Sequence, residues 1–376
     1  VGDAVAKRFL FVTGEASGDL HAARLVTALR ALGPCVIRGI AGPRMRAAGV
    51  ECLIPAEELA VVGFSEIIGR LPRLLAARRR ILAEFARWQP HVVVLVDYPG
   101  FNLRLGPELK RRGANVFYFI APQVWAWHPE RAAEMARWVD HLAVVFPFEE
   151  PIFRAAGVAV THVGHPLLDE FAPEVAPDVL RAELGMDPGA RLLGLLPGSR
   201  AQEIARHLPV LVAAARSLAA SRPDLHVVLA LPPGVRVPAG WPATPRWHAL
   251  SGRTRAVMAA ATACAVASGT ATLETALFGT PLVVLYRTGR VNHALARRFI
   301  RIPRIGLPNI VAGEDVVPEL LQDALTPEAL AGALTPLLDD PEARAAARRR
   351  LATVGARLGG PGASARAAEL LWSMAA

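Results

Sequence analysis

Apolar residues in this chain come in short unbroken runs rather than in alternation. A first series spans 9–12, 36–40, 91–96, 116–120 and 142–145, and a second spans 192–196, 226–230, 264–267 and 281–286. Longer amphipathic segments separate them. A strand with one face in water alternates apolar and polar positions, whereas a strand covered on both faces is apolar throughout. The pattern therefore predicts parallel strands joined by helices, in two doubly wound α/β domains. Residues 169–187 are rich in Pro, Glu and Asp, carry no strand pattern, and read as the linker. The expectation is an N-terminal Rossmann-like domain over 1–168 and a C-terminal one over 188–340. The two would face a central cleft onto which the carboxyl ends of both sheets open. Residues 341–376 hold two helix-like segments broken at Gly359-Gly360-Pro361-Gly362. They either cross back to the first domain or pack on a partner chain, as in a homodimer.

Two strand-to-helix turns in the second domain carry the first chemical signal. Pro197-Gly198-Ser199-Arg200 follows the run 192–196 and leads into a helical stretch. Such a junction offers free backbone N–H groups and the positive end of the helix dipole to an anion, and Arg200 adds a planar cation suited to phosphate. The second turn, Ser268-Gly269-Thr270-Ala271-Thr272-Leu273-Glu274, follows the run 264–267. A diphosphate held from two sides, and hence a nucleotide-linked substrate, is the expectation.

The first domain reads differently. Its opening turn, Thr13-Gly14-Glu15-Ala16-Ser17-Gly18-Asp19, has carboxylates where a dinucleotide site would have glycines, and they would repel phosphate. Those acids suit sugar hydroxyls or the orientation of a catalytic group; the plainer alternative is that Ser17 or Asp19 caps the next helix. Asp97 ends the strand run 91–96, where a partly buried carboxylate can act as a general base. Its alternatives are a helix cap near Asn102 or a partner for an arginine. Gln123, Trp125, Trp127 and His128 would form a stackable wall for a sugar or an acyl chain, or else pack between domains. Asn309, after Pro308 in a loop-like segment, is placed to reach into the cleft.

Composition narrows the class. The chain has 376 residues, 53% of them hydrophobic, with a net charge of +9. No run reaches the roughly 18 uninterrupted apolar residues of a membrane span, and the start lacks a signal-peptide pattern, which places the chain in the cytosol. Cys35, Cys52 and Cys264 are too far apart for a disulfide framework or a zinc site, and His162 and His165 lack acidic companions at ligand spacing. No metal or cofactor is expected. Lys7 and Lys110 are the lysines; the remaining positive charge is arginine. Two basic stretches stand out: the apolar run 59–68 followed by Arg70, Arg73, Arg78, Arg79, Arg80 and Arg87, and the arginines between 287 and 304. Apolar residues beside a basic face suit an anionic bilayer surface, the bland reading being a solvated helix face. Nucleic acid is disfavoured, because no recognised binding motif is present.

Taken in order, Gly14-Glu15-Ala16-Ser17-Gly18-Asp19, Ala41-Gly42-Pro43-Arg44-Met45, Glu58-Leu59-Ala60-Val61-Val62-Gly63, Pro122-Gln123-Val124-Trp125-Ala126-Trp127, Val163-Gly164-His165-Pro166, Leu196-Pro197-Gly198-Ser199-Arg200, the turn at 268–274 and Leu307-Pro308-Asn309 resemble the motifs of the lipid-A-disaccharide synthase family. The resemblance runs from about 9 to 338. It implies a GT-B glycosyltransferase that joins UDP-2,3-diacylglucosamine to 2,3-diacylglucosamine 1-phosphate with inversion, releasing UDP, at the inner membrane. It further implies Asp97 as general base. Ser199, Arg200 and Ser268-Gly269-Thr270 would hold the diphosphate, Glu274 the ribose, and Glu15 and Asn309 would lie near the transferring sugar. A UDP-N-acetylglucosamine 2-epimerase and a non-catalytic sugar-nucleotide binder are the competing readings.

Overall fold

The computed structural model describes residues 6–59, 67–124, 130–238, 240–242, 244–289 and 304–375. The chain divides into two compact units, Val1–Glu170 with Gly360–Ala376, and Phe171–Gly359.

The first unit is built on a seven-stranded sheet ordered β3-β2-β1-β4-β5-β6-β7. Its strands are β1 (Lys7–Val12), β2 (Cys35–Ala41), β3 (Glu51–Pro55), β4 (Val92–Val96), β5 (Val116–Phe119), β6 (His141–Val144) and β7 (Val160–His162). All neighbouring pairs are parallel. The crossover helices include α1 (Ala16–Leu32), α2 (Pro43–Ala47), α3 (Ile67–Trp88), α4 (Pro99–Arg111), α5 (Glu130–Met135) and α6 (Glu149–Ala155). Helices α3, α4 and α5 share one face, where Ile81, Leu82, Phe85, Leu105, Leu109, Met135 and Trp138 join a single apolar cluster.

The second unit carries a six-stranded parallel sheet ordered β10-β9-β8-β11-β12-β13. Its strands are β8 (Arg191–Leu196), β9 (Leu225–Leu231), β10 (Trp247–Ser251), β11 (Ala263–Ala267), β12 (Leu282–Tyr286) and β13 (Glu319–Leu321). The helices used below are α7 (Pro177–Glu183), α8 (Ala201–Ala220), α9 (Thr254–Ala260), α10 (Thr270–Leu277), α11 (Leu307–Ala312), α12 (Pro327–Asp339) and α13 (Pro341–Leu358). Helix α7 falls inside the stretch read as linker. Its Arg181 donates to the Ala260 carbonyl at 2.8 Å, which fastens the helix to this unit.

The last helix, α14 (Ala363–Met374), belongs to the first unit. Asp169 caps it: the carboxylate accepts the N–H groups of Gly362, Ala363 and Ser364 and the Ser364 hydroxyl, at 2.7–3.0 Å. At its far end the Lys7 ammonium donates to the Trp372 carbonyl at 2.8 Å and lies over the Trp372 ring.

Candidate functional site

In each sheet the order reverses between two adjacent strands. Crossovers leave those strands in opposite directions, so a crevice opens beyond their carboxyl ends, the usual ligand position in open α/β sheets. In the first unit the two strands are β1 and β4; in the second they are β8 and β11.

Beyond β1 and β4 lie Glu15 and Asp97. Asp97 and Tyr98 both adopt left-handed backbone, with φ of 46° and 48°. For non-glycine residues this costs about 1–3 kcal/mol each and requires support from the surroundings. The support is visible. The Asp97 N–H donates to the Phe119 carbonyl at 3.0 Å, while the Asp97 carbonyl accepts from the Tyr118 hydroxyl and the Asn102 amide, each at 2.7 Å. The Tyr98 hydroxyl donates to the Leu59 carbonyl at 3.1 Å. The Tyr98 ring in turn lies against Gly14, where a Cβ would come within 2.3 Å of it. Gly14→Ala is therefore expected to lower stability by about 1–3 kcal/mol through overpacking, measurable by urea unfolding.

This frame sets the chemistry of Asp97. Burial, then the charge of nearby Glu15, push its carboxyl up to about 6, partly offset by the Tyr98 N–H. Such a group is ionised at neutral pH yet basic enough to take a proton. Neither cap nor ion pair accounts for it: α4 begins at Pro99 with no side-chain cap, and among the described residues no arginine pairs with Asp97. Glu15 occupies the N-cap position of α1 without using its side chain there, and it is exposed. Asp19 is committed elsewhere, accepting from the Arg44 and Met45 amides at 2.9 and 3.1 Å at the start of α2. Ser17 is exposed in the first turn of α1, and Gln123 is exposed beside Pro122. Trp125, Trp127 and His128 lie outside the described residues.

Beyond β8 and β11 the two Gly-containing turns are neighbours, since Leu196 pairs with Val266. Gly198 and Gly269 have φ of 113° and 149°, which only glycine takes without strain. The expectation of free amides in the first turn needs correction. The N–H groups of Ser199 and Arg200 both donate to Glu203 Oε2, at 3.1 and 3.3 Å, and the Arg200 guanidinium meets Glu203 Oε1 at 3.1 Å. Glu203, at the third helical position, folds back as a capping carboxylate. The turn is thus an anion receptor filled by an anion of its own chain, and Arg200 remains 78% exposed. In the second turn the Ser268 hydroxyl donates to the Ile305 carbonyl at 2.9 Å, and Thr270 is exposed at the start of α10. Glu274, one turn into α10, is held by the Arg255 guanidinium at 2.7 Å.

Asn309 does not reach outward. Its amide nitrogen donates to the Val317 carbonyl and to Glu319, and its oxygen accepts from the Val316 and Val317 N–H groups, all at 2.7–2.9 Å. Those four bonds saturate a side chain that is 1% exposed, so its role here is to pin the 313–318 loop onto α11. His207 was not foreseen. Fully buried on α8, its Nδ1 faces the Pro197 carbonyl at 2.7 Å and its Nε2 accepts the Arg287 N–H at 2.9 Å. Because a carbonyl only accepts, the proton is on Nδ1, and the neutral ring ties the first turn to the end of β12. A histidine on the apolar stripe of α8, three residues after Ile204 and three before Val210, was the available signal.

The basic stretches also divide. In the first, Leu59, Ile81, Leu82 and Phe85 are in the core, not facing outward. Arg78 pairs with Glu108 and Arg87 with Glu84. Leu71 and Leu75 remain exposed at 46% and 43%, beside exposed Arg73, Arg79 and Arg80. Residues 60–66 lie outside the described set. In the second stretch Arg287 donates to the Gln322 and Leu325 carbonyls and Arg304 pairs with Asp315; 290–303 are not described.

Residues 9–364 match the family model of lipid-A-disaccharide synthetase. A lipid-A-disaccharide synthase of Trichlorobacter lovleyi is 42% identical over 377 residues, covering 98% of this chain and 97% of that one. The chain belongs to the lipid-A-disaccharide synthase family. Members are glycosyltransferases, and this chain is accordingly a hexosyltransferase of lipid A biosynthesis. Its two all-parallel units are of the GT-B class. CalG4, the calicheamicin glycosyltransferase, superposes with a TM-score of 0.64 at 20% identity, covering 98% of each chain. A putative UDP-N-acetylglucosamine 2-epimerase of Listeria monocytogenes shares the fold at a TM-score of 0.65 and 14% identity, over 98% of this chain and 95% of that one.

Proposed function

We propose that this enzyme transfers the sugar of UDP-2,3-diacylglucosamine to the 6-hydroxyl of 2,3-diacylglucosamine 1-phosphate with inversion. Asp97 removes the hydroxyl proton as the acceptor oxygen attacks the anomeric carbon. The bond to the diphosphate breaks, UDP leaves with the bonding electrons, and the proton passes from Asp97 to water. Glu15, exposed beside Asp97, fits the hydroxyls of the acceptor sugar, and Gln123 is exposed at the same end of the first unit. In the second unit Ser199 and Arg200, once Glu203 has left their N–H groups, receive the leaving diphosphate together with the Ser268-Gly269-Thr270 turn, with Glu274 on the ribose. Arginine, backbone N–H groups and a helix N-terminus neutralise the leaving charge without a metal ion. The observation that carries the reading is a carboxylate at the crevice of the first sheet whose burial has tuned it to about 6.

Acylated substrates place the reaction at a membrane surface. Among the described residues no helix is long and apolar enough to cross a bilayer. The exposed Leu71 and Leu75 with Arg73, Arg79 and Arg80 suit peripheral contact with anionic lipid.

The deciding experiment offers the purified chain both acylated substrates and follows the products by mass spectrometry. A disaccharide 1-phosphate with one UDP per linkage is expected; a C2 epimer formed from UDP-N-acetylglucosamine in place of any disaccharide would refute the proposal. The pH profile adds a signature. A base works deprotonated, so kcat/KM should fall about tenfold per pH unit below about 6 and level off above it.

A further inference from the structure

A groove of about 550 Å³ lies on the first unit, between α4 and the segment that continues from α5. Its rim carries Arg104, Lys110, Arg111, Arg131 and Arg137, against one lining acid, Glu134. Lys110 is neutralised by Asp140. The other four differ from Arg112, which pairs with Glu108, and from six further arginines of this unit. Arg24, Arg38, Arg46, Arg78, Arg87 and Arg154 each meet a carboxylate. Arg104, Arg111, Arg131 and Arg137 are exposed, and among the described residues none has a side-chain partner. Unneutralised cations gathered around one concavity leave a positive field that a solvated face with interspersed acids does not have.

The floor is apolar. Half-buried Pro99, Leu103 and Pro107 line it, over Met135 and Trp138, which are buried beneath. A basic rim over an apolar floor matches a phosphate attached to something greasy better than it matches a free inorganic anion. The groove also continues a surface already implicated. Helix α4 is tied to α3 through Arg78 and Glu108, so the groove shares its helical layer with the exposed Leu71 and Leu75.

We propose that the groove between α4 and α5 is a headgroup site for an anionic phospholipid, in which the four unpartnered arginines hold the phosphate and Pro99, Leu103 and Pro107 lie under its glycerol and first acyl carbons. This rests on the reading of the enzyme as one that works at a bilayer. It adds a docking point separate from the residues assigned to catalysis and to the nucleotide.

The test is co-sedimentation with vesicles of phosphatidylglycerol mixed with phosphatidylcholine, and with vesicles of phosphatidylcholine alone. The parent should pellet with the anionic vesicles and far less with the neutral ones. Each arginine near an anionic surface contributes roughly a fivefold gain in partitioning. The triple variant Arg104→Glu/Arg111→Glu/Arg137→Glu should therefore bind anionic vesicles at least about tenfold more weakly. The milder Arg104→Gln/Arg111→Gln should lose roughly fivefold or more, and serves if the charge reversals disturb folding. Arg348→Glu/Arg349→Glu/Arg350→Glu makes the same change in net charge on α13, where all three side chains are exposed, and should bind nearly as the parent does. Equal loss in both triple variants, or no loss in the groove variants, overturns the site. So does saturable binding of sn-glycerol 3-phosphate without vesicles that the groove variants abolish, since that assigns the groove to a soluble phosphate. Transfer between detergent-dispersed substrates should stay within about twofold in the groove variants, because dispersed substrate needs no bilayer docking. Parent protein that pellets but forms no disaccharide would count against the catalytic reading and leave the groove standing.

Discussion

Asp97→Asn is expected to reduce transfer between about a hundredfold and ten-thousandfold, the usual worth of a general base, while UDP affinity stays within about twofold. Asparagine keeps the size of the side chain and does not touch the backbone bonds from Tyr118, Asn102 and to Phe119 that hold the left-handed turn. It removes only the ability to accept a proton. Stability separates this loss from misfolding, and its sign runs against intuition. The folded carboxyl titrates near 6, above its ordinary value of 3.8, so the fold disfavours the charged form. That penalty is fully present above about pH 6, shrinks as pH falls, and is gone below the unfolded value. The variant should therefore be at least as stable as the parent at pH 7, with the difference vanishing by about pH 4 in urea unfolding. An inactive variant that is also less stable at neutral pH would mean that Asp97 is structural. An active one would remove it from the mechanism.

Arg200→Ala should weaken UDP binding by about tenfold to a hundredfold, as expected for losing a charge-assisted contact to a diphosphate. Two effects combine. The guanidinium is lost, and Glu203 is left on the Ser199 and Arg200 amides with no cation to share, so an incoming diphosphate meets a carboxylate in its place. Titration calorimetry with UDP on both variants tests the division of labour: Arg200→Ala should bind poorly and Asp97→Asn normally. Unaltered UDP affinity in Arg200→Ala would show that the nucleotide sits elsewhere.

The strands that the apolar runs predict are the interior ones, β1, β2, β4, β5 and β6 in one sheet and β8, β9, β11 and β12 in the other. The missed strands are β3, β7, β10 and β13, the four sheet edges. An interior strand such as β4 is buried at every position, whereas β10 and β13 are mostly half-exposed and need no continuous apolar run. Edge strands are specified by their neighbours more than by their own composition. The sites follow a similar rule. Asp97 and the turn at 197–200 are legible because a strand end and a special residue coincide. Glu203 is not, since it acts by folding back across a turn, and for His207 the spacing marks a polar residue on an apolar stripe but not its partners, Pro197 and Arg287, which other segments supply. Asn309 misled for the same reason: its partners, Val316, Val317 and Glu319, are supplied downstream by a loop and the first residue of β13, and a polar residue in a loop-like segment looks free until they are seen.

Because Asp169 caps α14 and Lys7 fastens its far end, the polypeptide leaves the first lobe once and returns to finish it. The second lobe is in effect a cassette spliced into its host at two junctions, after Glu170 and after Gly359. Exchanging this lobe with that of a relative would mean replacing 171–359 as one piece. A simple N-terminal fragment ending at 170 would instead lack α14, which packs against α1, and leave the Asp169 carboxylate without its helix.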